Sequence, residues 1–276
     1  MALEDRIARS RLIPPRPRPT WVRRPRIEAR LREALQAPVT VVRADPGYGK
    51  TTAVAQMVHY GSWPAAWYSL AETDQDPLLF LAHLIAAAQT LDPGCGARAL
   101  TLLQSPGGGA QHGPAVIDTL ANELLDRLGR DALLILDDYH LVEGPEINPL
   151  VERLIEQMPP TLHLILLTRQ TPAFRNLVRW RAYGEVQEIT TGDLAFTPEE
   201  VQVLFTAHGV PLPPEAIHRL AEETEGWIIA LLMILHRLRE SGREPLEILL
   251  ERIPDTLPDL FNYFAGEVLS LSLIHI

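Results

Sequence analysis

The chain has 276 residues, of which 46% are hydrophobic, and its formal net charge is −10. This length suits one α/β domain with a smaller attachment, and the hydrophobic content supports a packed core and excludes a disordered protein. No apolar run approaches the ~18 residues of a membrane span and no secretory signal is present, so we expect a cytoplasmic protein without membrane contact. The single cysteine, Cys95, excludes an internal disulfide and a cysteine-rich metal site.

Positive charge is concentrated near the N-terminus. Residues 1–32 hold ten arginines and three acidic residues, 10 − 3 = +7, which leaves −10 − 7 = −17 on the remainder. Residues 1–25 are rich in proline and arginine, a composition typical of an extended arm. The arm can contact nucleic acid, dock on the acidic remainder or line a nucleotide site. Docking is favoured over nucleic-acid contact because only Trp21 offers a ring on which bases could stack.

The stretch 44–52, A-D-P-G-Y-G-K-T-T, has the pattern of a phosphate-binding P-loop. It follows an apolar run at 38–42, precedes a predicted helix, and contains Lys50, the only lysine of the chain. Backbone N–H groups of such a turn and of the helix N-terminus form an anion site. We expect Lys50 to reach the terminal phosphates and the Thr51 hydroxyl to ligate Mg²⁺. The predicted nucleotide-binding residues of the loop are Pro46, Gly47, Tyr48, Gly49, Lys50, Thr51 and Thr52.

The loop departs from the full P-loop pattern at its start. Ala44 occupies the position of the first glycine, and Asp45 places a carboxylate in a loop predicted to hold phosphate, so its side chain must point away. The alternative interpretation of the stretch is an ordinary tight turn followed by an exposed lysine.

Two later strands end in polar residues that suit the same site. The apolar run 132–136 leads into Asp137, a predicted Mg²⁺ ligand, and Asp138, predicted to orient or deprotonate an attacking water. The run 162–167 leads through Thr168 to Arg169, which we expect to sense the terminal phosphate. The carboxyl ends of parallel strands meet at one sheet edge, where ligands bind. The alternatives are a surface loop beginning at Asp137 and an arginine extended along a strand end.

Strand-like and helix-like segments alternate up to residue 189. The strands are predicted at 39–42, 65–70, 132–136, 162–167 and 185–189, and the glycine-rich residues 92–113 are predicted to form a loop. This order predicts an α/β fold, a P-loop NTPase with a five-stranded parallel sheet flanked by helices. After residue 197 only helices are predicted, which indicates a small all-α lid subdomain.

Four regions follow from this pattern: an arm at 1–25, a nucleotide-binding domain at 26–191, a helical lid at 192–244, and the start of a further domain at 245–276. The last residues are apolar and lack a helix cap, so we expect the chain to be a fragment of a longer protein or its last residues not to be native.

Several motifs occur in an order typical of one protein family. They are Pro14-Pro15-Arg16-Pro17, Val22-Arg23-Arg24-Pro25-Arg26, Gly47-Tyr48-Gly49-Lys50-Thr51-Thr52, Trp67-Tyr68-Ser69-Leu70, Leu136-Asp137-Asp138-Tyr139-His140, His163-Leu164-Ile165-Leu166 with Arg169, Asp193-Leu194, and Thr224-Glu225-Gly226-Trp227. From residue 11 to about residue 269, the chain resembles the ATPase module of MalT-type, LuxR-like bacterial transcription activators, which are STAND-class signalling NTPases.

The resemblance implies a switch that binds ATP or ADP with Mg²⁺ and hydrolyses ATP slowly. ADP would hold a closed monomer, whereas ATP and an inducer would permit self-association and promoter activation. Arg24 and Arg26 would lie near the adenine, Arg169 would be the sensor arginine, and residues 245–276 would begin a winged-helix-like domain. The inducer and the DNA would be bound by regions beyond this chain, the DNA through a C-terminal helix-turn-helix. The alternative is another P-loop ATPase, AAA-like or a motor, without a link to transcription.

Overall fold

A five-stranded parallel sheet forms the centre of the first of two structural units. The computed structural model describes residues 3–18, 21–105 and 112–241. The strands are β1 (Val39–Arg43), β2 (Ala65–Ser69), β3 (Ala132–Asp137), β4 (Leu162–Thr168) and β5 (Val186–Ile189), and all pairs are parallel. Most strand residues are buried, as expected for a sheet covered on both faces. The predicted fold class is therefore confirmed.

The strand order is β2-β3-β4-β1-β5, so β4 lies between β1 and β3. The register pairs Arg43 at the end of β1 with Thr168 at the end of β4. It also pairs Ser69 at the end of β2 with Asp137 at the end of β3. The carboxyl ends of these four strands therefore form one edge, with the end of β4 between those of β3 and β1.

Among the described residues, seven helices accompany the sheet: α1 (Pro25–Ala34), α2 (Lys50–Tyr60), α3 (Pro77–Leu91), α4 (Ala97–Gln104), α5 (Gly113–Arg127), α6 (Asn148–Gln157) and α7 (Leu177–Ala182). Short 3₁₀ helices lie at Glu72–Gln75 and Tyr139–Leu141. None of the helices in the described ranges is long and apolar enough to cross a membrane.

Helix α4 corrects the prediction of a loop at 92–113. The glycines indicated a break, and Gly96 indeed has a positive φ of 79°, but the helix begins directly after it. The buried Glu123 of α5 accepts hydrogen bonds from the backbone N–H groups of Arg98 and Ala99, both at 3.1 Å. A carboxylate far along the chain thus caps the first turn, which no local pattern could indicate.

The N-terminal arm is also less extended than predicted, because 3₁₀ helices occur at Leu3–Arg6 and Arg9–Leu12. Arg11 forms an ion pair with the fully buried Asp74, and its Nε donates to the Ser69 carbonyl at 2.8 Å. Leu12 is buried in the core beside the sheet. The prediction that the arm docks on the acidic remainder is confirmed for this part of the arm.

The second unit contains α8 (Thr191–Leu194), α9 (Pro198–Ala207), α10 (Pro214–Glu223) and α11 (Ile228–Ser241). Thr197 and Glu200 form a capping box at the start of α9. The described parts of 18–25 and 44–50 group with these helices, whereas 3–17, 26–43 and 51–190 form the sheet unit. The predicted domain borders stay a prediction. Residues 245–276, predicted to begin a further domain, lie outside the described residues.

The core of the second unit is apolar and separate from the core around the sheet. Its buried members are Phe196, Val201, Leu204, Phe205, Ile217, Leu220, Leu231, Ile234 and Leu235. Val22, from the segment that precedes α1, packs against them. The helices of this unit therefore hold part of the chain that comes before the sheet.

Candidate nucleotide-binding site

The loop 44–50 connects β1 to α2 and has the backbone of a glycine-dependent turn. Gly47 and Gly49 have φ values of 82° and 81°, which residues other than glycine rarely adopt. Ala44 is buried but does not have a positive φ, so the alanine at the first position of the pattern causes no backbone strain. Asp45 is exposed to solvent. The two residues that depart from the P-loop pattern are thus accommodated.

Lys50 is the first residue of α2 and is only 8% exposed. Its Nζ donates hydrogen bonds to the carbonyl oxygens of Ala44 at 2.7 Å and Asp45 at 3.2 Å. The ammonium group is thereby held against the loop that precedes it. Burial of an ammonium group is tolerated when such hydrogen-bond partners are present.

The P-loop is packed closely against the segment that begins α11. Trp227 Nε1 donates to the Pro46 carbonyl at 3.0 Å. A Cβ added to Gly47 would lie 2.4 Å from Ile229 Cδ1, whereas one added to Gly49 would meet no atom within 4 Å. Gly47 is therefore required by contact as well as by backbone conformation. Partial burial and the nearby carboxylates of Glu225 and Asp45 raise the pKa of Tyr48, so its phenol stays neutral at physiological pH.

Thr51 and Asp137 are brought together within the sheet unit. Asp137 is the last residue of β3 and is 3% exposed. The Thr51 hydroxyl donates to Asp137 Oδ1 at 3.0 Å, across 86 residues of chain. Thr51 is in the first turn of the helix that follows β1, and β1 and β3 are parallel strands of one sheet, so both residues lie at its carboxyl edge.

The same pair fits a magnesium ion. Mg²⁺ is usually held by one or two carboxylates, with water and phosphate oxygens completing its six positions. Thr51 and Asp137 supply a hydroxyl and a carboxylate oxygen close enough together to reach one ion. Among the described residues, no group of three or more His, Cys, Asp and Glu side chains is placed to hold a metal ion.

The ends of β3 and β4 place three further polar residues near this edge. Asp138 directly follows β3 in a left-handed conformation, with φ 60° and ψ 39°. Arg169 directly follows β4 and is half-buried. Thr168, for which the sequence analysis predicted no role, is fully buried, and its Oγ1 makes no hydrogen bond within the described structure. Its place at the end of a strand, before Arg169, was the signal that could have identified it.

The arginines predicted to lie near the adenine have different surroundings. Arg24 is buried, and its guanidinium donates to Glu200 Oε2 from Nε at 3.0 Å and from Nη2 at 2.8 Å. Arg26 is exposed near the start of α1. Thr52, in the first turn of α2, is half-buried. The nucleotide-binding roles of these three residues stay a prediction.

A glycine-dependent loop between a buried parallel strand and a helix, followed by a carboxylate bonded to the helix threonine, defines a P-loop NTPase module. No family model matches the chain. It is 32% identical over 250 residues to the HTH-type transcriptional regulator MalT of Serratia proteamaculans, which covers 89% of this chain. It is 31% identical over 222 residues to MalT of Cronobacter sakazakii, covering 79% of this chain. The chain is thus a homologue of MalT-type regulators, as its motifs indicated.

The matches cover 27% and 24% of these two relatives, so the chain spans about a quarter of their length. Among solved structures, it is similar to a Walker-type ATPase of Pyrococcus abyssi, with a TM-score of 0.59 and 15% identity over 96% of this chain and 79% of that one. It is also similar to a STAND protein with a tetratricopeptide repeat sensor from Pyrococcus horikoshii, with a TM-score of 0.53 and 20% identity over 78% of this chain and 30% of that one. These similarities support the P-loop ATPase fold.

Proposed function

We propose that this chain is the ATP-binding switch module of a bacterial transcription activator of the MalT type. The observation that carries the proposal is the hydrogen bond from the Thr51 hydroxyl to Asp137 Oδ1, at 3.0 Å. It joins the Gly-Lys-Thr motif to the carboxylate at the end of β3, which is the pair that a P-loop ATPase uses to hold Mg²⁺ beside the phosphates. The relatives named as transcriptional regulators support the link to transcription.

The proposed nucleotide site assigns a distinct role to each polar residue. The backbone of residues 46–49 and the start of α2 would bind the phosphates, with Lys50 as the charged donor to the terminal ones. Bound Mg²⁺ would neutralise phosphate charge. Asp138 would accept the proton of an attacking water, and Arg169 would donate to the terminal phosphate. We propose ATP over GTP because guanine-specific sites use an Asn-Lys-x-Asp element, and the only lysine is in the P-loop.

The proposed switch would act through slow hydrolysis that controls self-association. ATP would favour association between copies of the protein, and ADP would favour the monomer. DNA and a small-molecule or protein inducer would be bound by other parts of the longer protein, since this chain spans about a quarter of its relatives. Regulation of transcription takes place at the DNA, so we propose a cytoplasmic location.

Lys50→Ala tests the proposal directly. Loss of the only ammonium group in the loop removes charge-assisted hydrogen bonds to the phosphates, so ATP affinity is expected to fall by about 10- to 100-fold or more. Titration calorimetry with Mg·ATP measures the change, with Arg219→Ala as the control because it removes one exposed positive charge on α10. Equal ATP affinity of the wild type and Lys50→Ala, or no ATP binding by the wild type, would contradict the proposal.

A further inference from the structure

Arg24 is held in a buried network of the helical unit. Its guanidinium forms a forked ion pair with Glu200, and the two side chains are only 7% and 11% exposed. Arg24 Nη2 also donates to the Ala195 carbonyl at 2.9 Å, and the guanidinium carbon lies 4.0 Å from the centre of the Phe196 ring. Such a fork with a stacked ring uses the planar geometry of arginine, which lysine lacks. Arg24 thus fixes the turn at 195–196 as well as the start of α9.

The turn at 195–196 packs directly against Gly226. Phe196 N–H donates to the Gly226 carbonyl at 3.0 Å. A Cβ at Gly226 would lie 2.5 Å from the nitrogen and 2.6 Å from the oxygen of Phe196, so the two backbones touch and only glycine fits between them. Glu225 and Gly226 both have positive φ, of 48° and 66°. The contact with Phe196 therefore fixes the tight turn at Glu225 and Gly226, and with it the position of Trp227, which follows Gly226.

Trp227 extends the network to the P-loop. The indole is 6% exposed, and its Nε1 donates to the Pro46 carbonyl at 3.0 Å. Gly47 also leaves no space for a side chain beside Trp227 and Ile229, since an added Cβ would lie 2.6 Å from Trp227 Nε1 and 2.4 Å from Ile229 Cδ1. A buried tryptophan held on both sides is a rigid support, because few of its rotamers fit such a space.

We propose that Arg24 is a positioning residue for the P-loop, acting through Phe196 and the Gly226–Trp227 turn on Pro46 and Gly47. The segment before α1 therefore sets the conformation of the loop between β1 and α2. Nucleotide affinity then depends on a residue that does not have to touch the nucleotide. Only this last consequence rests on the proposed function, because the support of the loop exists without nucleotide.

The first experiment measures the loop without nucleotide. Hydrogen exchange followed by mass spectrometry compares the peptide covering residues 45–52 in the wild type, Arg24→Gln and Arg24→Lys. Exchange in this peptide is expected to be fastest in Arg24→Gln, which leaves Glu200 without its forked partner, and intermediate in Arg24→Lys. Thr197→Ala is the matched control, since it removes the α9 cap but keeps the guanidinium contacts, and it is expected to speed exchange in α9 more than in the loop.

The second experiment is a double-mutant cycle on Mg·ATP affinity with Arg24→Gln and Trp227→Phe. Trp227→Phe keeps an aromatic ring but loses the donor to Pro46, so affinity is expected to fall by about 2- to 10-fold. If Arg24 acts through Trp227, the double variant should bind about as weakly as the weaker single variant. Arg153→Gln, which breaks an exposed forked ion pair between Arg153 on α6 and Asp118 on α5, should combine additively with Trp227→Phe.

The two experiments separate this inference from the proposed function. Faster loop exchange in Arg24→Gln, with no ATP binding by the wild type, would support the positioning role and contradict the ATPase proposal. ATP binding with additive effects of Arg24→Gln and Trp227→Phe would overturn the positioning role. Unchanged loop exchange in a folded Arg24→Gln variant, with α9 and α10 as protected as in the wild type, would overturn it as well.

Discussion

Asp138 adopts a left-handed backbone conformation directly after β3, with φ 60° and ψ 39°. This conformation costs most residues about 1–2 kcal/mol, but aspartate and asparagine adopt it more readily because their short side chains bond locally. The turn redirects the chain just beyond Asp137. Asp137 therefore has the backbone conformation of a strand, whereas the next residue, Asp138, has a left-handed one. The backbone thus permits different roles for the two aspartates, a metal ligand and a base in our proposal.

We expect Asp138→Asn to reduce ATP hydrolysis by about 10²-fold or more while ATP binding is retained, because asparagine keeps the shape and the left-handed turn but cannot accept a proton. A phosphate-release assay and a binding titration on the same samples measure both effects. Asp45→Asn is the matched control, since Asp45 is an exposed carboxylate in the P-loop. A loss of ATP affinity as large as that of Lys50→Ala would contradict this role.

The arm and α3 are joined by a cluster around a buried histidine. His83 Nε2 accepts a hydrogen bond from the Ala8 N–H at 3.1 Å, and Nδ1 lies 2.9 Å from the Leu79 carbonyl, to which it donates. The ring stacks on Tyr68, and two charged groups face this cluster, the ion-paired Arg11 and Asp74. Only a neutral imidazole protonated at Nδ1 satisfies both hydrogen bonds. The docked arm therefore requires uncharged His83.

This cluster predicts that the fold loses stability in mild acid. Burial, aided by the charge of Arg11, lowers the pKa of His83, and this outweighs the Leu79 carbonyl and the carboxylate of Asp74, 3.4 Å away. The unfolded chain therefore binds the proton at a higher pH than the folded chain does. The contribution of His83 to stability is present above the unfolded pKa of ~6.5 and is lost as the pH falls through the lower folded pKa.

Urea unfolding of the wild type, His83→Gln and His218→Gln at about pH 8 and about pH 5.5 measures this effect. Between these two pH values, the free energy of unfolding is expected to fall more in the wild type than in His83→Gln. His218→Gln, which removes an exposed histidine, is the control and should behave like the wild type. An equal fall in all three proteins would show that His83 does not cause the loss.

At the scale of the whole chain, charge argues against DNA binding by this module alone. The net charge is −10, and the arm carries much of the positive charge. In the arm, Arg11 is used in an ion pair with Asp74 and Arg24 in one with Glu200. Nucleic-acid affinity depends on free cationic groups that neutralise phosphates, and the acidic remainder repels the DNA backbone.

We therefore expect only weak, non-specific DNA binding by this chain in a gel-shift assay at about 150 mM salt. Neutralising the docked arginine with Arg11→Gln should not strengthen binding, and competitor DNA of unrelated sequence should remove any shifted band. A specific band that survives such competitor at this salt concentration would contradict the prediction and assign a DNA site to this part of the chain.

Local patterns in the sequence determined much of the fold and of the candidate site. Mainly apolar runs predicted β1 to β4, since a strand covered on both faces has no polar side to show, whereas the edge strand β5 carries Gln187 and Glu188. The spacing of Gly47, Gly49, Lys50 and Thr51 identified the P-loop because the turn needs glycine at two positive-φ positions directly before the lysine and threonine that begin the helix. Asp137 could be found because it directly follows such a run, so that sheet geometry alone takes it to the carboxyl edge.

Only the tertiary structure decided the contacts between residues that are distant along the chain. The place of β4 between β1 and β3, the cap that Glu123 provides for α4 and the ion pair of Arg24 with Glu200, 176 residues away, follow from packing. Trp227 meets Pro46 across 181 residues for the same reason. No local pattern encodes such partners, because a buried charge or indole N–H bonds to whichever group the folded chain brings within reach.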